Sequence, residues 1–258
     1  MLLAIDVGNT NIVVGVFLGE ELIHSWRLTT IRERTADELG IIVSDLCSYH
    51  RVNRTDIDGI VIASVVPPLT GTLCAMAVKY FERTPLLFEP AVQGGMPILY
   101  DNPAEVGADR VVNGIAAYEA YGSVGARPVI VVDFGTATTF DAISARGEYL
   151  GGVICPGPQI SADALFQRAA RLPRIDVKKP DRVIGTNTVA SMQAGLFWGY
   201  VDMVEGLVRR MKIELGGQAV VVATGGLAVV VAPESNVIDH VDVELTLRGL
   251  RLVWERHR

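Results

Sequence analysis

The sequence predicts an α/β fold made twice over, two mixed-sheet halves with a cleft between them. Three observations carry this. An apolar strand ending in Asp-x-Gly, followed by small polar residues and then a second strand, occurs at Leu3-Ala4-Ile5-Asp6-Val7-Gly8-Asn9-Thr10-Asn11. The same grammar returns at Ile130-Val131-Val132-Asp133-Phe134-Gly135-Thr136-Ala137-Thr138. The two acids stand about 127 residues apart in a chain of 258, the half-length interval that two copies of one unit require. After each hairpin, helix-like and strand-like segments alternate, as in sheets covered by helices.

Taken in order, residues 12–17 read as the second strand, Gly19-Glu20 as a turn and residues 22–28 as a third strand. The second copy repeats this with residues 139–144, Gly147-Glu148 and residues 149–154. Residues 35–49 carry apolar side chains at helical spacing behind Thr35-Ala36-Asp37-Glu38, which resembles a capping box. A buried strand over 59–66, a helix over 69–81, a short strand over 85–88 and a helix over 111–121 complete the first half. The second half continues with helices over 161–170 and 188–212, strands over 219–223 and 236–241, and a closing helix over 245–258. The expected division is therefore 1–118 and 119–258. This layout is that of actin-like (ribonuclease H-like) and sugar-kinase-like ATPases. A single doubly wound domain is disfavoured, because its first strand leads into a helix and residues 12–17 read as a strand.

Half of the residues are hydrophobic, ample for a continuous core. The net charge of −6 is spread through interspersed acidic and basic side chains, which predicts no nucleic-acid and no anionic-membrane partner. No apolar run approaches the roughly 20 residues a bilayer demands, and the first residues lack the pattern of a secretory signal, so a cytoplasmic location is expected. Cys47, Cys74 and Cys155 are too few and too scattered for a disulfide framework or a Cys-x-x-Cys metal site, and read as reduced core thiols.

The lysines follow no glycine, which excludes a Walker loop, and no Gly-x-Gly-x-x-Gly turn is present. The Asp-x-Gly hairpins offer a different cradle. Gly8 and Gly135 let the backbone approach a phosphate, while Asn9, Thr10 and Asn11 in one turn, and Thr136, Thr138 and Thr139 in the other, supply donors. A carboxylate beside phosphate implies a cation between them, and Asp6 is the magnesium candidate. Either turn alone reads equally well as a plain hairpin; the recurrence favours function. Ala223-Thr224-Gly225-Gly226-Leu227-Ala228 follows a strand and suits a flat adenine or ribose against backbone. In Tyr100-Asp101-Asn102-Pro103-Ala104-Glu105-Val106-Gly107-Ala108-Asp109-Arg110, just before a helix, Arg110 could hold a carboxylate and Asp109 could take a proton from an attacking hydroxyl. The alternative is that Asp109 caps the helix and Arg110 is a solvated charge.

Together these segments resemble the type III pantothenate kinases. The resemblance rests on Asp6-Val7-Gly8-Asn9-Thr10, Asp101-Asn102-Pro103 with Gly107-Ala108-Asp109-Arg110, Asp133-Phe134-Gly135-Thr136-Ala137-Thr138 and Thr224-Gly225-Gly226-Leu227-Ala228, with weaker likeness over the rest of the chain. It implies phosphorylation of pantothenate by ATP, the first step of coenzyme A biosynthesis. It also implies Asp109 as proton acceptor, and Tyr100, Gly107, Ala108, Arg110 and Thr188 as holders of pantothenate. The same resemblance makes Asp6, Val7, Gly8, Asn9, Thr10, Asn11, Ile12 and Val13 the phosphate loop, with Thr136 a further ATP contact, and Asp133 the ligand of a monovalent cation, K⁺ or NH₄⁺. A homodimer is expected, with Thr188 reaching the pocket of the partner chain. Departures are Arg171, where lysine is expected, and Gln93-Gly94-Gly95-Met96. Competing readings are a kinase for a sugar or another hydroxy acid, disfavoured by Arg110, and a regulatory nucleotide-binding protein, disfavoured by Asp109.

Overall fold

A computed structural model describes residues 1–93 and 95–258; Gly94, in the departing stretch named above, lies outside them. The elements run β1 Leu2–Val7, β2 Asn11–Leu18, β3 Glu21–Thr29, α1 Ala36–Tyr49, β4 Gly59–Ser64, α2 Pro67–Phe81, β5 Leu86–Leu87, α3 Pro90–Gln93 and α4 Ala108–Ala117. They continue with β6 Val129–Phe134, β7 Ala137–Ile143, β8 Tyr149–Pro156, α5 Pro158–Arg168, α6 Thr188–Glu214, β9 Val220–Gly225, α7 Ala228–Val231, β10 His240–Val241 and α8 Leu245–Arg256.

The duplication is visible in the sheets. The first has the order β3-β2-β1-β4-β5 and the second β8-β7-β6-β9-β10, the same sequence of strands read through each copy. In both, the three hairpin strands pair antiparallel and the two later strands pair parallel to the first. Even the register irregularities correspond, at Val16/Phe17 in β2 and at Ala142/Ile143 in β7. Two units of one ancestry fold alike because the same alternation of apolar side chains fixes the same register.

One compact unit comprises Met1–Ala116 with Leu245–Arg258, the other Ala117–Glu244. The closing helix thus joins the first unit, where the linear reading placed it in the second. Parity along the strands explains why it fits. Leu3, Ile5 and Val7 of β1, with Ile12, Val14 and Val16 of β2 and Ile60 and Ile62 of β4, pack against α1 and α2. The opposite face presents Ala4, Gly15, Gly59 and Ala63, and small side chains there let α8 lie close to the sheet. A Cβ on Gly15 would meet Leu247 Cδ1 at 2.8 Å, and one on Gly59 would run into the Trp254 ring. In the second unit, β6, β7 and β9 bury Val132, Phe134, Phe140 and Val221 against Phe197, Val201 and Val204 of α6.

The capping box expected at α1 forms: the Glu38 amide donates to Thr35 Oγ1 at 3.2 Å and the Thr35 amide donates to Glu38 Oε2 at 2.7 Å. Other boundaries move by a few residues. The strand expected over 236–241 shortens to His240–Val241, and the helix expected over 111–121 begins earlier and ends in a wider π-type turn over Tyr118–Gly122. None of the described helices is long and apolar enough to cross a membrane.

Candidate active site

In the first unit, β1 and β4 run parallel and end side by side, with Val7 opposite Ser64. The ends of neighbouring parallel strands, where the order of the sheet reverses, are where such folds collect ligands. The first hairpin turn lies here, closed by the Gly8 amide donating to the Asn11 carbonyl at 2.9 Å. Asn9 and Thr10 at its tip are exposed, whereas Val7 and Ile12 are buried in the core. Val7 and Ile12 therefore offer a ligand only backbone groups, while Asn9, Thr10 and Asn11 also offer side chains. Asp6 and Val13 lie opposite each other on the α8 face of the sheet. Thr30 braces the turn: its Oγ1 donates to the Gly8 carbonyl at 2.7 Å and its amide to the Thr10 carbonyl at 2.9 Å. Nothing in the sequence signals Thr30, because a threonine just past a strand belongs to no pattern.

Asp109 reaches the same end of the first unit from α4. The helix is introduced by a tight turn over Pro103–Glu105, where Asn102 Oδ1 accepts from the Ala104 amide at 3.3 Å and Asn102 Nδ2 donates to Glu105 Oε1 at 2.9 Å. Asp109 then sits in the first turn of α4, where the helix dipole favours an anion. Its Oδ1 accepts from the Arg110 amide at 2.9 Å and folds back over Gly107, where a Cβ would lie only 2.6 Å away. That same point is 3.7 Å from Val65 Cγ1, and the Val65 amide donates to the Val7 carbonyl at 3.0 Å. Gly107, over which the carboxyl folds, is thus close to Val65, the residue after β4 that is hydrogen-bonded to the end of β1. Burial pushes its pKa up, against the opposing pull of the Arg110 amide and guanidinium. Arg110 and Tyr100 are half-buried, and both have partners.

In the second unit, β6 and β9 end together, with Asp133 opposite Thr224 in β9 and opposite Thr139 in β7. Gly225 takes the left-handed backbone at φ +87°, and a Cβ there would lie 2.5 Å from Asp133 Oδ1. Two segments far apart in sequence, Asp133 and the Gly225-Gly226 turn, are thereby joined. Thr136 is exposed at the hairpin tip, and Gly157 passes so close beneath that a Cβ would run into the Thr136 carbonyl. Thr138 corrects the sequence reading. Its side chain is fully buried on the face packed against α6, its hydroxyl has no partner, and it offers nothing to a phosphate. Strand parity decides this, since Thr139 and Asp133 share the other face. Sequence reasoning also missed a buried carboxylate on that face: Asp141 accepts from the Tyr149 hydroxyl at 2.7 Å and from Thr139 Oγ1 at 3.3 Å.

Thr188 is exposed at the first position of α6, whose cap is Asn187. It lines an open cavity of about 570 Å³ together with Leu172, Gly185, Thr186, Asn187, Ser191 and Met192. Thr188 belongs to the second unit and Asp109, Arg110 and Tyr100 to the first.

Among the described residues no cluster of three or more His, Cys, Asp or Glu side chains makes an all-protein metal cage. A magnesium ion that keeps waters and takes its other ligands from phosphates needs no such cage.

The fold is shared with solved kinases. The inorganic polyphosphate/ATP-glucomannokinase from Arthrobacter sp. strain KM aligns with a TM-score of 0.55 at 15% identity over 99% of each chain, which marks the actin-like sugar-kinase architecture. Among sequence relatives, a type III pantothenate kinase from Moorella thermoacetica is 58% identical over 257 residues, covering 100% of both chains. Another from Myxococcus xanthus is 55% identical, covering 100% of this chain and 99% of its own. The protein is thus an ATP-dependent kinase of the actin-like class. More narrowly, the family profile for type III pantothenate kinase matches residues 2–210, and the chain belongs to that family.

Proposed function

We propose that Asp109 takes the proton from the primary hydroxyl of pantothenate as that oxygen attacks the terminal phosphoryl group of ATP, giving 4'-phosphopantothenate, the first intermediate on the route to coenzyme A. The observation that carries this reading is a half-buried carboxyl, its pKa raised by desolvation, folded over Gly107 close to Val65, which is hydrogen-bonded to the end of β1. A raised pKa makes a better proton acceptor at neutral pH, as long as the group is still ionised there.

The remaining assignments follow from what each group can offer. The first turn, Asp6 to Val13, grips phosphate oxygens with backbone amides and with Asn9, Thr10 and Asn11; in the second unit, the exposed Thr136 hydroxyl is the further group assigned to ATP. Gly225 and Gly226 leave backbone open to the nucleoside. Arg110 pairs with the pantothenate carboxylate, with Tyr100, Gly107 and Ala108 lining the rest of the substrate site in the same unit, and Thr188 is the residue a partner chain would bring to it. Asp6 is the residue that would hold magnesium and Asp133 the one for a monovalent cation, K⁺ or NH₄⁺; these ions neutralise phosphate charge when bound. A homodimer fits the exposed apolar side chains of the second unit, Ile154, Ile160, Leu165, Phe166, Ile184 and Val189, since such surface normally finds cover. A cytoplasmic enzyme without nucleic-acid or membrane partners is the setting in which this chemistry is expected.

The test is purified protein with ATP, magnesium and potassium, offered pantothenate, pantetheine and a panel of sugars. Turnover of pantothenate is expected; turnover confined to a sugar, or none at all, would overturn the reading.

A further inference from the structure

Asp109 is held in place by a helix from the opposite end of the chain. The helix that carries it, α4, has only ten residues, and from Val111 to Ala117 every one of them is buried. A short helix with Val, Ile and Ala on all sides has little to fix its rotation or its axial position, since smooth apolar surfaces repack at modest cost. One residue of axial slippage turns a helix by about 100° and shifts it by about 1.5 Å, enough to carry Asp109 away from the hairpin.

Two contacts from α8 remove that freedom. Asn113, one turn beyond Asp109 and 1% exposed, accepts a hydrogen bond at its Oδ1 from Thr246 Oγ1 at 2.7 Å. Three residues along α8, Gly249 lies against the backbone of α4 so closely that a Cβ would run into the Val112 carbonyl oxygen. The other side of α8 is seated on the sheet that holds the first hairpin, through Leu247 over Gly15 and Trp254 over Gly59. The helix therefore spans from the sheet that presents the phosphate turn to the helix that presents the acid, within one compact unit.

We infer that Thr246 and Asn113 form a latch that positions Asp109, acting on turnover through the carboxylate and not through contact with substrate. This rests on Asp109 being the base, and it adds a positioning role for two residues 133 positions apart. Misplacement of a catalytic group by about 1 Å costs on the order of a hundredfold in rate, whereas the first turn is built by β1 and β2 and not by α4.

The experiment compares Thr246→Val, which keeps the shape and removes the donor, with Thr246→Ser, which keeps the donor. For Thr246→Val, kcat is expected to fall roughly 5- to 50-fold, with KM for ATP within about twofold of wild type and KM for pantothenate raised, because Arg110 rides on the same helix. Nucleotide should still bind once per chain, so that the loss is not a loss of folded protein, and Thr246→Ser should restore kcat. Unchanged kcat in Thr246→Val, or a fall matched by fewer nucleotide sites, overturns the latch. Should the valine variant not fold, Thr246→Ala is read by the same criteria, and failure of both to fold would assign the pair to stability alone and likewise overturn the proposal. Absence of pantothenate turnover in wild type would instead refute the reading of the site, so the two failures are distinct.

Discussion

A carboxylate that must accept a proton from an alcohol gains from a setting that makes its charge uncomfortable, and Asp109 has one. Its partial burial works against the ionised form while the Arg110 amide and the start of α4 support it. With Asp109 as the proposed base, the raised pKa gives turnover an acid limb. As pH falls through the raised value Asp109 is protonated and kcat declines, with a midpoint expected above about 4, the ordinary range of an aspartate. A pH–rate profile of wild type reads it directly. Stability runs the other way. The folded chain holds this proton more tightly than the unfolded chain, so the contribution of Asp109 to stability is present in acid and is lost as pH rises through the folded pKa. At neutral pH the ionised group is a burden, and Asp109→Asn should raise Tm by about 1–4 °C, as calorimetry would show. That Gly107-Ala108-Asp109-Arg110 leads into a helix was legible in the sequence. Thr30 was not, and Thr138 was misjudged, because a hydroxyl in a list of turn residues does not disclose which face of the strand it occupies. For the second hairpin, Asp133→Ala should weaken activation by potassium in a salt titration; an unaltered potassium dependence would place the cation elsewhere.

At the scale of elements, local grammar was read well and long-range return was not. The capping box at Thr35 and Glu38 is a three-residue affair and forms as its spacing demands. Thr35→Ala should cost about 1 kcal/mol, measured by urea unfolding, since it strips a donor partner from the start of α1. The closing helix is the opposite case. Its apolar stripe, Leu247, Leu250 and Val253, announces a helix with one buried face but does not say which sheet it will cover. What decides is the set of small residues waiting on β1, β2 and β4, and those became a docking surface only once the register of three strands was known. Gly249→Ala tests the fit: with the Val112 carbonyl in the way, a single methyl should destabilise the chain by about 1–3 kcal/mol.

For the whole molecule, the duplication is what made the fold legible. Two Asp-x-Gly hairpins at half-chain spacing required two sheets of like order, and the sheets match strand for strand, down to the register irregularity within the second strand of each. The copies differ in what surrounds each acid. Asp133 is overlain by the Gly225 turn and shares its face with the buried Asp141–Tyr149 pair, while Asp6 shares its face with Val13 and the small residues beneath α8. Exposed apolar surface on the second unit predicts association, and light scattering should give about twice the 27.8 kDa chain mass.

The most direct test of the central claim is steady-state turnover of pantothenate by wild type and by Asp109→Asn, side by side, with ATP affinity measured separately for each. The account predicts that kcat falls by about 10²- to 10⁴-fold in the variant while ATP affinity stays within a few-fold. A variant that turns over pantothenate at the wild-type rate would contradict it.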